Sequence, residues 1–347
     1  MEKTKATIYD VARRLGVSTT TVNRVLNNKP NVSEKTRKAV MEVIQELNYR
    51  PSKTASSLSR SSVKINMILG HTIFDFDKEI YQGAEAAYRE LYDFNLRGEV
   101  IEIPYNEGSA EFCRVIEEQA KECDALAIIP QGDGVDVGMY LNEHFSDGNM
   151  RFCNGISALP SNVPLFTVVC NGVIAGRMAA QMLDFMLQGR GKVAMFTNSK
   201  VASVHMATCE GFENYIKDSQ LEMCGVYEHL DKPLLAEQAA VRLLREHPDI
   251  DGIYIGTANS VPICRYLEQA GVGDRIKIVA SDLFEDLSAL MDRGVVDATI
   301  FQNPYMIGKQ MIKTMYEIIA EGRELETKQF LLDPQIVLNS NKHLYIR

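Results

Sequence analysis

Four residues near the N-terminus, Thr19, Thr20, Asn23 and Arg24, are spaced so that they share one face of a short helix. Their hydroxyl, amide and guanidinium groups match the hydrogen-bond donors and acceptors that base edges and phosphates present in the major groove of DNA. None of the four is a large apolar side chain that must be buried. The residue types and their spacing therefore predict a surface that contacts DNA.

Three short helices are needed to position this face. The first is expected to end at Gly16, the second to carry the polar face after a tight turn, and the third to run from residue 34 to about residue 47. The expected N-caps are Thr7, with Asp10 as its capping-box partner, Ser18 and Ser33. The apolar faces that would pack the helices together are Ile8, Val11, Ala12 and Leu15 in the first, Val22, Val25 and Leu26 in the second, and Val40, Val43, Ile44 and Leu47 in the third.

This run resembles the DNA-binding domain of the LacI/GalR family of bacterial transcription regulators. The matching residues are Thr7-Ile8-Tyr9-Asp10-Val11-Ala12, Gly16-Val17-Ser18, Thr21-Val22, Arg24-Val25-Leu26-Asn27, Val32-Ser33 and Leu47-Asn48-Tyr49-Arg50-Pro51. A bare helix-turn-helix pattern is weak support for DNA binding, whereas a match of this length is specific. Asn23 departs from the family, in which Ser is usual at this position. The resemblance implies DNA contacts by Thr7, Ser18, Thr19, Thr20, Thr21, Asn23, Arg24, Asn27 and Tyr49.

Residues 51–61 are polar, rich in Ser and too short to form a stable helix alone, so a solvated linker is one interpretation. In the family this segment folds as a hinge helix when two subunits meet on the operator, and a Leu from each subunit wedges into the minor groove. The resemblance therefore assigns Ala55 and Leu58 to DNA contact, with Leu58 as the wedge that bends the site. With the preceding domain attached, the hinge is the favoured interpretation.

Charge is divided unevenly along the chain. The first 62 residues contain 12 Lys and Arg against 5 Asp and Glu, a net charge of +7, which leaves 25 against 41, or −16, for the rest of the 347 residues. Salt screens exposed charges beyond ~8 Å at physiological ionic strength, so local charge governs phosphate binding. The net charge of −9 for the whole chain therefore does not argue against nucleic acid as a partner.

Length and composition predict two or three folding units, since 347 residues with 46% apolar content exceed one average domain. The seven cysteines are scattered without Cys-x-x-Cys spacing, and no secretory sequence precedes them, which favours reduced thiols in the cytosol. No stretch approaches the ~18 consecutive apolar residues of a membrane span. A soluble, cytoplasmic protein is expected.

From residue 62 onward, short apolar runs alternate with helical patterns, which predicts parallel sheets with helices on both faces. The expected strands are 64–70, 100–105, 125–130, 192–198, 252–257, 277–282 and 298–303, with helices over Lys78–Leu91 and Ser109–Cys123 among the intervening segments. This pattern resembles the periplasmic-binding-protein-like effector domain that follows the hinge in the same family. The expected organisation is a helix-turn-helix domain at 1–50, a hinge at 51–61 and a two-lobed effector domain at 62–347.

The resemblance also implies how the chain is divided between the lobes. Lobe 1 is expected to comprise about 62–168 and 301–330, and lobe 2 about 169–300 and 331–347. The chain would cross between lobes near Thr167–Asn171, Phe301–Pro304 and Leu331–Pro334.

Ligands of such folds bind at the carboxyl ends of the strands, here between the lobes. Following the sugar-binding relatives, Phe76 would stack on an effector, while Asn154, Asp282 and Gln302 would bind its hydroxyl groups. The further candidates are Phe74, His205 and, more weakly, Asn259 at the end of another strand. A structural role is an open alternative for several of these residues. Asp282 could cap a helix together with Glu285, and Phe74 and Phe76 could be core residues. Asn171 is expected to cap the helix that begins at Gly172.

Two positions where relatives often carry Arg are Met206 and Gly155 in this chain. The cleft would then lack a guanidinium group for an effector carboxylate or phosphate, which favours a neutral sugar or polyol as the effector. The chain shows no nucleophile elbow, P-loop, zinc-protease motif or dinucleotide fingerprint, so neither an enzyme nor a cofactor or metal site is expected.

The sequence as a whole predicts a homodimeric repressor that binds a pseudo-palindromic operator in double-stranded DNA and is controlled allosterically by a small molecule between its lobes. Induction and corepression are both compatible with the sequence. The alternatives are a stand-alone solute-binding protein, which fits only 62–347, and a regulator that responds to a non-sugar metabolite or to a protein corepressor.

Overall fold

The structure, a computed structural model, describes residues 6–26, 30, 32–47, 62–71, 73–273 and 275–346, except for the side chain of Phe74. The chain divides into two compact units, a helical head before Val63 and an α/β unit that contains nearly all residues from Val63 onward.

The head contains α1 (Ile8–Leu15), α2 (Thr19–Leu26) and α3 (Glu34–Glu46), which confirms the predicted helices. Their small core is built from Val11, Val22 and Val40, each fully buried, with Ala12, Val25 and Val43 beside them. Gly16 ends α1 in the left-handed conformation, at φ 65°, which lets the chain turn tightly into α2. The packing of three short helices around β-branched residues fixes which face of α2 stays exposed.

The α/β unit alternates strands and helices. Its strands are β1 (Val63–Gly70), β2 (Leu96–Arg97), β3 (Val100–Ile103), β4 (Ala125–Ile129), β5 (Arg151–Gly155), β6 (Phe166–Cys170), β7 (Gly191–Thr197), β8 (Leu221–Glu228), β9 (Gly252–Ile255), β10 (Lys277–Ser281), β11 (Ala298–Phe301), β12 (Gln329–Leu332) and β13 (Gln335–Leu338). Its helices are α4 (Phe74–Leu91), α5 (Ser109–Gln119), α6 (Val135–His144), α7 (Gly172–Met186), α8 (Ser203–Lys217), α9 (Pro233–Glu246), α10 (Val261–Gln269), α11 (Glu285–Asp292) and α12 (Pro304–Glu321), with short 3-10 turns at Tyr92–Phe94 and Lys342–Leu344.

The strands form two sheets, each the centre of one lobe. In lobe 1 the order is β12-β6-β5-β4-β1-β2, and β3 also pairs with β1, with every pairing parallel. In lobe 2 the order is β13-β11-β10-β9-β7-β8, and β13 pairs antiparallel with β11 at one edge. The predicted fold class, a helical head followed by two α/β lobes with parallel sheets, is confirmed.

The chain passes between the lobes three times. It leaves lobe 1 after β6 for α7, which packs on α8 and β10 of lobe 2. It returns after β11 through α12, which packs on α4, and it changes sheet again between β12 and β13. All three connections are short and lie side by side. A movement of one lobe relative to the other would therefore change the backbone conformation only in these three segments.

Each lobe contains a pair of helices in close contact through glycine. A Cβ atom at Gly83 of α4 would lie 1.9 Å from the Tyr305 carbonyl oxygen, and one at Gly308 of α12 would lie 2.1 Å from that of Ile80. In lobe 2, a Cβ atom at Gly176 of α7 or Gly211 of α8 would likewise lie 2.1 or 2.0 Å from a carbonyl oxygen of the other helix. A side chain at any of these positions would push the paired helices apart.

The start of α4 differs from the sequence-based prediction. The helix begins at Phe74, four residues before the predicted Lys78, and the Asp77 carboxylate accepts a hydrogen bond of 2.9 Å from the Ile73 N–H. This bond satisfies an N–H group that the first turn leaves open, which allows the helix to extend toward β1.

The seven cysteines are all unpaired, and Cys153, Cys170, Cys209 and Cys264 are buried in the lobes. Burial raises the pKa of the Cys170 thiol to about 12, so this group stays a neutral core thiol. In the described part of the chain, no helix is long and apolar enough to cross a membrane.

Candidate DNA-binding surface and effector cavity

The candidate DNA-binding surface is the solvent face of α2. Val22 and Val25 of this helix are buried against α1 and α3, while Thr20, Asn23 and Arg24 are exposed. Thr19 and Thr21 lie half-buried at the edges of the face, and Thr7 is exposed at the start of α1. Asn27, Tyr49, Ala55 and Leu58 lie outside the described residues, so the predictions made for them stay predictions.

Hydrogen bonds at the helix starts fix the orientation of this surface. The Ser18 hydroxyl accepts a bond of 3.1 Å from the Thr21 N–H and lies 3.0 Å from the Thr21 hydroxyl, which caps α2 as predicted. At the start of α1, the Asp10 carboxylate accepts bonds from the backbone N–H and the hydroxyl of Thr7, at 2.8 and 2.6 Å. These two bonds, the hydroxyl bond first, lower the pKa of Asp10. The helix starts are therefore held independently of any DNA.

The candidate effector site is a cavity of about 450 Å³ between the lobes. It lies at the carboxyl ends of strands from both sheets, the position that open parallel sheets use for ligands. Its volume falls in the range of ~300–1,000 Å³ that is usual for small-molecule pockets. The polar residues that line it are His71, Tyr105, Gln131, Asp133, Ser157, Asn198, Ser199, His205, Thr208, Asp231, Thr257 and Gln302.

In lobe 1, near this cavity, a carboxyl group lies on each side of His71. The Nε2 atom of His71 lies 2.6 Å from a Glu102 carboxylate oxygen, and its Nδ1 atom lies 3.4 Å from an Asp77 carboxylate oxygen. Asp77 is fully buried at the start of α4. The described residues contain no group of three or more His, Cys, Asp or Glu side chains arranged to hold a metal ion.

Lobe 2 contributes a histidine and a carboxyl group from the loop that follows β8. His229 is fully buried, and its Nδ1 atom lies 3.8 Å from an Asp231 carboxylate oxygen. Burial, with a smaller contribution from His205, lowers the pKa of His229 to about 4. Burial raises the pKa of Asp231 to about 7, a hydrogen bond from Asn198 opposes this rise, and the charge of Asp77 adds to it.

Asp282 and Gln302 lie together, but only Gln302 lines the cavity. Asp282 is fully buried, and its two carboxylate oxygens accept hydrogen bonds from the Gln302 backbone N–H (3.0 Å) and side-chain amide (2.7 Å). Burial raises the pKa of Asp282 to about 7 against the lowering effect of these bonds. The alternative of a helix cap is wrong, because α11 begins at Glu285 after Phe284 and Asp282 is turned away at φ 62°.

The structure places the other candidates differently. Phe76, 6% exposed, and the half-buried His205 line the cavity, and burial lowers the pKa of His205 to about 4. Asn154 is buried and does not line the cavity: its side-chain oxygen accepts a hydrogen bond from the Thr167 hydroxyl (2.7 Å), and its amide N–H donates one to the Ser157 carbonyl oxygen (2.6 Å). Asn259 does not line the cavity either, and nothing is described for the side chain of Phe74.

Asn171 caps α7, as the structural interpretation predicted. Its side-chain oxygen accepts a hydrogen bond of 3.2 Å from the Ile174 N–H. This residue therefore serves the start of a helix rather than the cavity.

Sequence reasoning missed Asp231, Asn198 and Gln131 as cavity residues. Asp231 follows β8, in which a glycine and two glutamates interrupt the apolar run and most residues are not buried, so the usual signal of a buried strand is weak. The sequence His-Leu-Asp-Lys-Pro, in which a helix-starting Pro233 closely follows a strand, was the available signal for a loop at a strand end. Asn198 and Gln131 lie at or directly after the ends of the expected strands 192–198 and 125–130, so their positions could have been read by the same rule that selected Asp282.

A direct hydrogen-bonded contact joins the two lobes at one side of the cavity. The hydroxyl of Ser203, the first residue of α8 in lobe 2, lies 2.8 Å from the Ser157 hydroxyl in lobe 1. It also accepts a hydrogen bond of 3.1 Å from the Ala158 N–H. We call this contact the Ser157–Ser203 bridge.

A helix-turn-helix head and a two-lobed α/β unit with a cavity between its lobes define a DNA-binding protein with a built-in ligand-binding domain. The family profile described as bacterial regulatory proteins, lacI family, matches residues 7–52, and the periplasmic binding protein domain profile matches residues 154–324. The chain belongs to the LacI family of DNA-binding transcriptional regulators.

Curated relatives carry the names of regulators. The chain is 28% identical over 236 residues to the HTH-type transcriptional regulator pepR1 of Lactobacillus delbrueckii subsp. lactis, covering 66% of each chain. It is 28% identical over 255 residues to the ribose operon repressor of Halalkalibacterium halodurans, covering 72% of this chain and 70% of the repressor. It is also 45% identical over 89 residues to the repressor PurR of Vibrio campbellii, covering 25% and 27%. The chain thus spans about two thirds of the length of the first two.

Solved structures share the fold of the α/β unit. The glucose-galactose binding protein GanP from Geobacillus stearothermophilus is 21% identical, with a TM-score of 0.72 over 81% of this chain and 99% of GanP. A solute binding protein from Burkholderia graminis in complex with D-arabinose is 17% identical, with a TM-score of 0.73 over 83% and 99% of the two chains. At these identities the comparison establishes the fold alone.

Proposed function

We propose that this protein is a cytoplasmic, homodimeric repressor whose affinity for its operator is set by a small molecule bound in the cavity between the lobes. The observation that carries the proposal is the presence, in one chain, of a LacI-type head with an exposed polar face on α2 and a two-lobed unit enclosing about 450 Å³. A protein that only bound DNA would not need a second unit with such a cavity.

DNA recognition would use two heads. A single head of three short helices buries too little surface for tight and specific binding, whereas a two-fold pair matches a pseudo-palindromic site. Arg24 and Asn23 would read base edges, Thr19 and Thr20 would contact phosphates or bases, and Leu58 of each hinge would bend the centre.

The effector would be a hydroxylated molecule without a negative charge. In the described lining of the cavity there is no Lys or Arg, and Gln131, Asn198, Thr257 and Gln302 offer donors and acceptors that suit hydroxyl groups. Phe76 would supply an apolar face for a ring. Support for a sugar comes from relatives, since one is named a ribose operon repressor and one fold neighbour is in complex with D-arabinose.

The test begins with selection of operator sequences from random duplex DNA by the full chain. We expect enrichment of a pseudo-palindromic site, and Arg24→Ala should weaken binding to it by about 1–3 kcal/mol, read in a fluorescence anisotropy titration. The matched control is Arg245→Ala, which removes an arginine with a 76% exposed side chain from α9 in lobe 2. Selection without an enriched site, or an Arg24→Ala variant that binds like the control, would contradict the proposal for the head.

A further inference from the structure

The loop after β8 places at the cavity one carboxylate oxygen, that of Asp231, to which no described residue donates a hydrogen bond. Asp231 lines the cavity with a side chain 18% exposed, and its Oδ1 atom has no hydrogen-bond partner among the described residues. In the same part of the chain, the Nδ1 atom of the fully buried His229 also lacks one. These two atoms lie 3.8 Å apart, too far for a hydrogen bond, and only Asp231 lines the cavity. Buried polar groups are normally paired, so the Asp231 oxygen atom points to a bound partner that the protein itself does not supply.

The backbone at this loop adopts an unfavourable conformation that turns the carboxyl group inward. Leu230 and Asp231 are consecutive residues with φ of 53° and 50°, the left-handed region that L-residues avoid. The loop is held there by hydrogen bonds from the N–H groups of His229 and Leu230 to the carbonyl oxygens of Thr197 and Asn198. Strain of this kind persists where the surrounding structure enforces it, and it is concentrated at functional sites.

A second carboxyl group lies near the cavity in the opposite lobe. Asp77 of α4 is fully buried and does not itself line the cavity, and its charge adds to the rise in the pKa of Asp231 less than burial does. His71 lies 3.4 Å from Asp77 and, like Asp231, lines the cavity. No Lys or Arg stands among the described lining residues to balance the Asp231 carboxyl group.

We propose that the effector carries a protonated amino group, which binds Asp231 of lobe 2. An ammonium group has three donors and one positive charge, so it can bond the Asp231 carboxylate and further acceptors at the same time, whereas a hydroxyl group offers one donor and no charge. The hydroxylated remainder of the molecule contacts Phe76 and Gln302. The effector is therefore an amino sugar or a similar hydroxylated amine that contacts both lobes. This inference rests on the proposed function of the cavity.

The experiment compares ligands that differ only in the group at one position. Thermal shift and calorimetry on the full chain would use aminohexoses, the parent hexoses, the N-acetyl derivatives and the hexose 6-phosphates, together with aminocyclitols and their parent cyclitols. We expect an amine to bind at least tenfold more tightly than its parent and its N-acetyl form, and phosphates not to bind. Neutral ligands that bind as tightly as their amines would overturn the inference and leave the proposed function standing. Binding by no compound at all would overturn both the inference and the sugar-like effector class.

Two variants separate charge from structure. Asp231→Asn should reduce amine affinity at least tenfold and change the affinity for the parent neutral compound less than threefold. Asp218→Asn, the same change at an exposed position after α8, should alter neither. Without ligand, Asp231→Asn should raise the melting temperature, because it removes a buried carboxyl group with an unsatisfied oxygen atom. A lower melting temperature, or equal losses for both kinds of ligand, would show that Asp231 has a structural role and would overturn the inference.

Discussion

Burial shifts the pKa values of four ionisable groups in and around the cavity, upward for two of them and downward for the other two. Burial raises the pKa of Asp231 and of Asp282 to about 7 and lowers that of His205 and of His229 to about 4. All four changes favour the neutral form, which is the expected effect of removing a charge from water. Of these four groups, Asp231 and His205 line the cavity, where a bound partner can change their protonation.

Asp282 gives a test of this tuning through protein stability. Its pKa is about 7 in the folded protein and near 3.9 in an unfolded chain, so only the folded state holds the proton between these values. The free energy of unfolding of the wild type, relative to Asp282→Asn, should therefore fall as the pH rises from about 4 to about 7, by at most ~1.4 kcal/mol per pH unit. Urea unfolding across this range measures the difference.

The control for this titration is Thr299→Val. Thr299 is also fully buried, and its hydroxyl donates a 2.5 Å hydrogen bond to the Asp282 carbonyl oxygen, but it does not titrate. The free energy of unfolding of this variant should be lower than that of the wild type by about the same amount at every pH. A difference between wild type and Asp282→Asn that is equally independent of pH would show that the Asp282 carboxyl group keeps an ordinary pKa.

At the residue level, the sequence predicted which residues lie at the ends of strands, but not which of their side chains point into the cavity. Gln302, Phe76 and His205 reach the cavity, whereas Asn154 follows the same rule and is used within lobe 1. The difference depends on which neighbour offers a partner, here the Thr167 hydroxyl on the adjacent strand, and that pairing is set by sheet register. Register is not visible in a single sequence.

At the level of elements, the Ser157–Ser203 bridge is the contact most directly linked to lobe closure. It joins the loop after β5 in lobe 1 to the first residue of α8 in lobe 2. Hydrogen bonds between exposed groups contribute ~0.5–1.5 kcal/mol each, which is enough to shift a two-state opening equilibrium several-fold.

Ser203→Ala should shift the α/β unit toward an open arrangement. Loss of the bridge removes ~1 kcal/mol from the closed state, and small-angle X-ray scattering of the full chain should detect a larger radius of gyration without ligand. The matched control is Ser219→Ala, because the Ser219 hydroxyl also makes two hydrogen bonds, to Ile216 and Leu221, but within lobe 2. If both variants scatter like the wild type, the bridge does not hold the lobes together.

Elements with clear boundary residues were predictable from the sequence, and elements without them were not. Ser18, Ser33 and Asn171 cap α2, α3 and α7 as their positions indicated. The early start of α4 depends on the bond from the Ile73 N–H to Asp77, a residue whose carboxyl group had no distinguishing pattern in the sequence. Strand β8 escaped prediction because most of its residues are not buried, and the loop that carries Asp231 escaped with it.

At the scale of the whole molecule, charge separates the two proposed activities of the chain. The first 62 residues carry a net charge of +7 and the remainder carries −16, from 12 against 5 and 25 against 41 charged residues. The acidic α/β unit would be repelled by phosphates while the basic head is attracted, so DNA should be bound through the head alone. An effector can then change DNA affinity only by changing how the heads are presented.

The central claim is that the operator and the cavity are energetically coupled, and reciprocal titration tests it most directly. Operator affinity of the full chain would be measured by anisotropy with and without a saturating cavity ligand, and ligand affinity by calorimetry with and without operator. We expect both affinities to change by the same factor, ~5–150-fold, in either direction, since coupling free energy is reciprocal. An operator affinity that stays the same when the cavity is saturated would contradict this coupling.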